Sequence, residues 1–174
     1  MKEIRVGLIG FGTVGSGLAE VLLSQGSRIE KRSGLSVRLV KVADIGIKTL
    51  PEQFAGVGLT RDAAELINDP NIDIIVELIG GIQPAKTFVL QAIEAGKHVV
   101  TANKALLSQE GAEIFAAAAA KGVEVGFEAS VGGGIPVIKS LKEGLVANRI
   151  ESIMGIMNGT ANYILTDDRR GCRL

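Results

Sequence analysis

The sequence has few of the residues that characterise several classes of protein. Its 174 residues include one cysteine, one histidine and no tryptophan, and aromatic residues make up 3%. A single cysteine, Cys172, excludes an internal disulfide framework and a thiolate metal site. So few aromatics argue against a stacking surface for single-stranded nucleic acid. The composition favours a reducing compartment, and we expect a cytoplasmic protein.

An excess of one charge and a long apolar run are also missing. The 19 basic and 19 acidic residues give a formal net charge of zero. No overall field therefore attracts the chain to nucleic acid or to an anionic membrane. No segment approaches the roughly 18 consecutive apolar residues of a membrane-spanning helix. We expect neither nucleic acid nor membrane as a partner.

Glycine is abundant, with 23 residues, and short apolar segments alternate along the chain with segments of helical periodicity. Short apolar runs predict strands at 4–10, 37–43, 72–77, 98–101 and 123–127. Helical spacing predicts helices from 13 into the polar stretch 28–33, and at 62–67, 84–95 and 108–121. Residues 45–59 are predicted to form a loop. Because parallel strands need crossover connections, this order predicts an α/β fold with a Rossmann-type, doubly wound parallel sheet.

The pattern changes after residue 128. A glycine-rich junction at 130–134 precedes a predicted apolar helix at 136–145 and a predicted strand at 150–156. We therefore expect a dinucleotide-binding domain at 1–130. The remainder, 131–174, is expected to begin a second α/β domain that is incomplete in this chain.

The first predicted turn carries a glycine fingerprint. Gly10, Phe11, Gly12, Thr13, Val14 and Gly15 match GxGxxG between the first strand and the first helix. In such a turn the first glycine permits the tight bend, the second lets a diphosphate approach, and the third lets helix and strand pack closely. The helix N-terminus adds amide donors and partial positive charge. The pattern predicts a dinucleotide site, although glycines that serve only a tight turn are the alternative.

Asp44 ends the second predicted strand, where the fingerprint expects a carboxylate for the adenosine ribose. It follows Gly15 by 29 residues, more than the usual gap of roughly 20. A carboxylate there favours NAD over NADP by repelling a 2′-phosphate, although Lys41 and Lys48 flank it. A solvated acidic residue at a strand end is the alternative.

Four further segments follow the fingerprint, namely ELIGG at 77–81, TANKALL at 101–107, EASVGGGIP at 128–136 and GIMNGTANYIL at 155–165. In this order they closely resemble the homoserine dehydrogenases, over roughly residues 2–165. That family interconverts L-homoserine and L-aspartate 4-semialdehyde with NAD(P), in threonine and methionine biosynthesis. The resemblance implies an oxidoreductase of this kind with NAD(P) as cofactor and a small-molecule substrate.

The resemblance also implies roles for individual residues. It places Phe11, Thr13 and Val14 along the cofactor phosphates, and Lys104 between nicotinamide and substrate. At the carboxyl edge of a parallel sheet, an ammonium group can hydrogen-bond cofactor or substrate oxygen, or donate a proton. A surface lysine beside a helix start is the alternative. Gly159 and Thr160 are implied substrate ligands, with a helix N-cap as the alternative.

A sodium or potassium ion is implied as well. The family binds it through backbone carbonyls at positions that match Glu128, Val131, Gly133 and Ile135. Oxygen ligands from glycine-rich backbone suit hard cations, and a plain hinge explains the same glycines equally well.

The family pattern is lost after residue 165, where the acidic substrate ligands and the proton-donor lysine of the family do not follow. We therefore expect this chain to bind cofactor with little turnover, and to form homo-oligomers through exposed apolar faces. Two alternatives stay open. One is another small-metabolite dehydrogenase, although the Glu-Lys-Pro typical of some is replaced by Ala102, Asn103 and Lys104. The other is a noncatalytic NAD(P)-binding module.

Overall fold

The computed structural model describes residues 2–156, 162–163 and 165–166. Its strands are β1 (Lys2–Ile9), β2 (Leu35–Ala43), β3 (Gly58–Thr60), β4 (Ile74–Glu77), β5 (His98–Thr101) and β6 (Val125–Gly126). Its helices are α1 (Thr13–Ser24), α2 (Gly26–Ser33), α3 (Ala64–Ile67), α4 (Ala85–Glu94), α5 (Lys104–Lys121), α6 (Glu128–Val131) and α7 (Val137–Lys139). A 3₁₀ turn, Glu52–Phe54, and a π-helical turn, Ser140–Gly144, are also present, and residues 162–163 and 165–166 are helical.

The six strands form one sheet in the order β3-β2-β1-β4-β5-β6, and all neighbours run parallel. The chain moves outward from β1 through β2 to β3, then returns to place β4 on the other side of β1. The order therefore reverses between β1 and β4. In open parallel sheets this reversal opens a crevice at the carboxyl ends of the strands. The predicted Rossmann-type sheet is confirmed.

Two apolar cores cover the two faces of this sheet. Adjacent strand residues point to opposite faces. Leu8 therefore packs with Ala19 of α1 in one core, while Ile9 packs with Val89 of α4 and Ile114 of α5 in the other. Burial on both faces explains why the strands lack a regular alternation of apolar and polar residues.

Several boundaries differ from the sequence-based expectations. The predicted loop at 45–59 runs into β3, whose three residues pair with the end of β2 but are too short to show a strand pattern. The first predicted helix is divided at Gln25, next to Gly26, because glycine weakens a helix interior. Helix α5 begins at Lys104 rather than 108, since the Asn103 side chain accepts a hydrogen bond from the Leu106 amide and caps it.

Contacts divide the chain into two compact units, Met1–Ser140 and Leu141–Leu174. The strand predicted at 150–156 is wrong, because this backbone forms no ladder with any described strand. Ile153 and Met154 are largely exposed there. Across the described ranges, no helix combines the length and apolar character required to cross a bilayer.

The contact of α1 with β1 gives the first prediction. A Cβ atom at Gly15 would overlap the carbonyl oxygen of Gly10, which is backbone and cannot turn aside. Gly15→Ala should lower the free energy of unfolding by about 1–3 kcal/mol, as measured by urea denaturation.

Gly17 is the matched control, because it lies on the same helix with no atom within 4 Å of its added Cβ. Gly17→Ala should raise the free energy of unfolding by about 0.5–1 kcal/mol through helix propensity. Equal effects of the two substitutions would contradict the close approach of α1 to β1.

Candidate functional site

The turn between β1 and α1 contains three glycines with different reasons for lacking a side chain. Gly10 has φ +96°, and a Cβ there would lie 2.8 Å from Ile79 Cγ2. A Cβ atom at Gly15 would overlap the carbonyl oxygen of Gly10. Gly12 is exposed and an added Cβ would meet nothing within 4 Å. The fold therefore explains the outer two glycines, whereas the open space at Gly12 leaves room for a bound molecule.

The N-terminus of α1 carries donors without acceptors. Gly12 is its N-cap, no side chain caps the helix, and its first turn has no acidic residue. Within the described part of the chain, no acceptor faces the amides of Thr13 and Val14. Free amides and the positive end of the helix dipole attract phosphate. This end of α1 is therefore suited to an anionic group of a ligand.

Asp44 braces the turn from the end of β2. Its Oδ2 accepts a hydrogen bond from the Phe11 amide at 2.7 Å, and its Oδ1 accepts from the amides of Gly46 at 2.7 Å and Ile47 at 3.2 Å. Burial favours a higher pKa for Asp44, but these amide donors outweigh it and lower the pKa below its ordinary value. The carboxylate thus faces the protein backbone at three points, a role that the sequence did not indicate.

A cavity of about 530 Å³ opens beside this turn. Its wall comes from the ends of β1, β2 and β4 and from the start of α4, that is, from the carboxyl edge at the strand-order reversal. It brings together Gly10, Gly12 and Asp44 of the predicted site with Ile45, Arg61, Leu78, Ile79, Gly80 and Phe88, among others. Three of the predicted cofactor residues therefore line one largely apolar groove with a few polar groups, as is typical of small-molecule sites, whereas Phe11, Thr13, Val14, Gly15 and Lys104 do not line it.

Phe11, Thr13 and Val14 lie at the same turn in different environments. The Phe11 ring is partly buried and makes an edge contact with Phe54, with ring centroids 5.7 Å apart. The Thr13 and Val14 side chains are exposed, Val14 by 59%. Neither packing nor a side-chain hydrogen bond within the described residues therefore explains the identity of these two side chains.

Arg61 is a residue of the groove that sequence patterns did not reveal. It follows β3, and its Nη2 donates a hydrogen bond to the Ile45 carbonyl at 2.9 Å. A guanidinium group therefore lies beside Asp44 at the β2 side of the groove. The signal was the position of Arg61 just after a strand, and it was hidden because β3 itself was not predicted.

Lys104 is the first residue of α5, directly after β5, and its side chain is exposed. It does not line the cavity at Gly12, since β5 lies two strands from β1, about 10 Å across the sheet. Its ammonium group has no hydrogen-bond or ion-pair partner among the described residues. A cation in the first turn opposes the helix dipole, so folding alone does not favour lysine at this position.

The structure describes the residues predicted to bind an ion but not those predicted to bind substrate. The carbonyl oxygens of Glu128 and Ile135 accept hydrogen bonds from the amides of Gly132 and Val137, each at 2.9 Å. A cation at these carbonyls would have to use their second lone pairs. The Glu128 carboxylate is engaged as well, by the amides of Ile138 and Lys139. Gly159 and Thr160 lie outside the described residues.

Together these features define a class: a Rossmann-type protein with a groove for a dinucleotide at its strand-order reversal. The family described as "Homoserine dehydrogenase, NAD binding domain" matches residues 10–128, and the family described as "Homoserine dehydrogenase" matches residues 136–172. The chain belongs to the homoserine dehydrogenase family.

Individual relatives agree with this assignment. The chain is 47% identical to the homoserine dehydrogenase of Neisseria gonorrhoeae and 49% identical to that of Pseudomonas aeruginosa, each time over 97% of its own length. A crystal structure of a homoserine dehydrogenase from Thiobacillus denitrificans matches with a TM-score of 0.90 and 53% identity over 98% of this chain. The chain spans 39% of the length of each of these three proteins.

The Asp44 brace predicts how stability depends on pH. A carboxyl group with a lowered pKa in the folded state contributes stability above its unfolded value of about 3.8, and that contribution is lost as pH falls further towards the folded-state pKa. Asp44→Asn should therefore lower stability at neutral pH and flatten the loss of stability below about pH 4.

The measurement is urea denaturation of both chains between pH 3 and pH 7. Asp62→Asn is a control, because that exposed aspartate caps only the short helix α3, through the Ala64 amide. An unchanged pH dependence of stability in Asp44→Asn would contradict the stabilising role of the hydrogen bonds that Asp44 accepts.

Proposed function

We propose that this chain is the cofactor-binding part of an NAD(P)-dependent homoserine dehydrogenase. That enzyme interconverts L-homoserine and L-aspartate 4-semialdehyde in threonine and methionine biosynthesis. The observation that carries the proposal is the open space at Gly12, beside free amides of α1 and a groove of about 530 Å³. Family membership supports the same cofactor.

The geometry favours one orientation of the dinucleotide. The diphosphate would lie against the N-terminus of α1, and the adenosine half would lie towards β2, where Asp44 and Arg61 stand. The nicotinamide half would then lie towards β4 and β5. When bound, NAD(P) supplies the hydride-transfer chemistry. The protein contributes the amides that hold the phosphates and the walls that orient the ring.

The surroundings of Asp44 bear on cofactor choice. Its oxygens already accept three backbone hydrogen bonds, which reduces its capacity to bind ribose hydroxyls. Arg61 places a positive group on the same groove. We propose that the site accepts NADP as well as NAD, because a guanidinium group offsets the repulsion between Asp44 and a 2′-phosphate.

Lys104 is proposed to act at the nicotinamide end. It stands at the carboxyl end of β5 with its ammonium group exposed, in a helical position that the dipole disfavours. Residues that folding does not favour are frequent at functional sites. The ammonium group would hydrogen-bond an oxygen of cofactor or substrate and hold the reacting groups in register.

The remaining parts of the site follow the resemblance. We propose a dinucleotide-binding domain at 1–130 and the start of a substrate domain at 131–174, with Gly159 and Thr160 as substrate ligands. A sodium or potassium ion on the carbonyls of Glu128, Val131, Gly133 and Ile135 belongs to the same proposal. The proposal also includes a homo-oligomer and a cytoplasmic location. The single cysteine favours the cytoplasmic location.

Gly12 provides the test of cofactor binding. Gly12→Val places a branched side chain where the diphosphate would approach, in space that no protein atom occupies. We expect NADPH and NADH binding to weaken at least about tenfold, while the urea midpoint stays close to that of the unsubstituted chain. Calorimetric titration measures the binding.

Gly17→Ala, on the exposed side of α1, is the binding control and should bind like the unsubstituted chain. Addition of L-aspartate 4-semialdehyde to the loaded chain should give little NAD(P)H oxidation, because the chain spans 39% of the length of the relatives it matches. Undiminished binding in Gly12→Val, or sustained oxidation by the chain alone, would contradict the proposal.

A further inference from the structure

A fully buried carboxylate lies at the carboxyl end of the sheet, outside the glycine fingerprint. Glu77 is the last residue of β4 and is 0% exposed. It is flanked by Ile9 of β1 and Thr101 of β5 in the strand register. A buried charge is costly unless its oxygens are satisfied. The hydrogen-bond donors to the Glu77 carboxylate therefore show which segments of the chain it holds in place.

One oxygen of Glu77 holds the loop after β4. Oε1 accepts hydrogen bonds from the amides of Ile79 at 2.9 Å and Gly80 at 3.3 Å. The loop then turns through two left-handed residues, Gly80 at φ +73° and Gly81 at φ +71°. Residues 78–80 line the proposed dinucleotide groove. The carboxylate thus fixes one wall of that groove.

The other oxygen connects to the start of α5. Oε2 accepts a hydrogen bond from the Thr101 hydroxyl at 2.7 Å, and the same hydroxyl oxygen accepts from the Asn103 amide at 3.0 Å. The Asn103 side chain accepts from the Leu106 amide at 3.1 Å and donates to the Gly81 carbonyl at 2.6 Å. A closed set of contacts therefore joins the loop at 78–81 to the helix that begins with Lys104.

We propose that Glu77 is a positioning residue for the nicotinamide half of the cofactor, acting through Thr101 and Asn103. This inference rests on the proposed function, which places that half over β4 and β5. A packed apolar residue would satisfy the core at least as well as a buried charge. The hydrogen bonds that the Glu77 carboxylate accepts come instead from the loop or strand end at this edge. Glu77 therefore fixes the spacing between the groove wall and Lys104.

The test separates the two halves of the cofactor. Glu77→Gln keeps the size of the side chain but presents an amide donor where Oε2 accepted the Thr101 proton. Binding is measured for NADH and NADPH, and for ADP-ribose and its 2′-phosphate, which lack nicotinamide. We expect the reduced cofactors to bind about tenfold more weakly, with ADP-ribose binding changed by less than about twofold.

A spectroscopic readout accompanies the affinities. The chain has no tryptophan, so the emission of bound NAD(P)H is measured without interference from it. Its enhancement on binding should fall in Glu77→Gln, because the ring is no longer held in one environment. Glu124→Gln, an exposed glutamate next to the amino end of β6, is the matched control and should change neither quantity.

Thr101 provides a second pair of variants. Thr101→Val removes the hydroxyl and should reproduce the selective loss, whereas Thr101→Ser retains it and should restore binding. Equal weakening of NAD(P)H and ADP-ribose, unchanged binding of both, or loss of the fold in both Glu77→Gln and Thr101→Val would overturn the inference. Failure of the unsubstituted chain to bind any of the four ligands would instead overturn the proposed function.

Discussion

The first helix can lie against the first strand only because residues 10 and 15 have no side chains. Any Cβ at Gly15 would occupy the place of the Gly10 carbonyl oxygen, and any Cβ at Gly10 would meet the loop after β4. This approach points the free amides of α1 across the carboxyl edge of the sheet. The groove opens beside this contact, with Gly10 and Gly12 in its wall and open space at Gly12.

Two carboxylates then hold the surrounding loops at this edge, the partly buried Asp44 and the fully buried Glu77. Asp44 binds the Phe11 amide from the β2 side, and Glu77 binds the loop at 78–81 from the β4 side. Each uses hydrogen bonds to backbone amides, which fix loop conformation more specifically than apolar contacts do. The glycine turn therefore lies between two carboxylates that hydrogen-bond to loop amides. Lys104 is the first residue of α5, the helix that Asn103 caps, and Asn103 is linked to Glu77 through Thr101.

The sequence predicted the features that depend on local pattern. Strands such as β1 and β5 were found because β-branched residues form short apolar runs, and the fingerprint at 10–15 was found because its spacing has a mechanical cause. Long-range partners were not predictable. Nothing local shows that Asp44 turns towards Phe11 or that Arg61 joins the groove, because both depend on which loops meet in space. The strand expected at 150–156 was wrong because an extended pattern predicts a strand only where a neighbour is available to pair with it.

The central claim is that main-chain amides at the start of α1 hold the diphosphate of a nicotinamide dinucleotide. A crystal structure of this chain with NADPH or NADH tests it most directly. We predict diphosphate oxygens within hydrogen-bond distance of the Thr13 and Val14 amides, passing over Gly12, with the nicotinamide ring on the β4 and β5 side. A dinucleotide bound elsewhere, or one whose diphosphate makes no contact with this turn, would contradict the account.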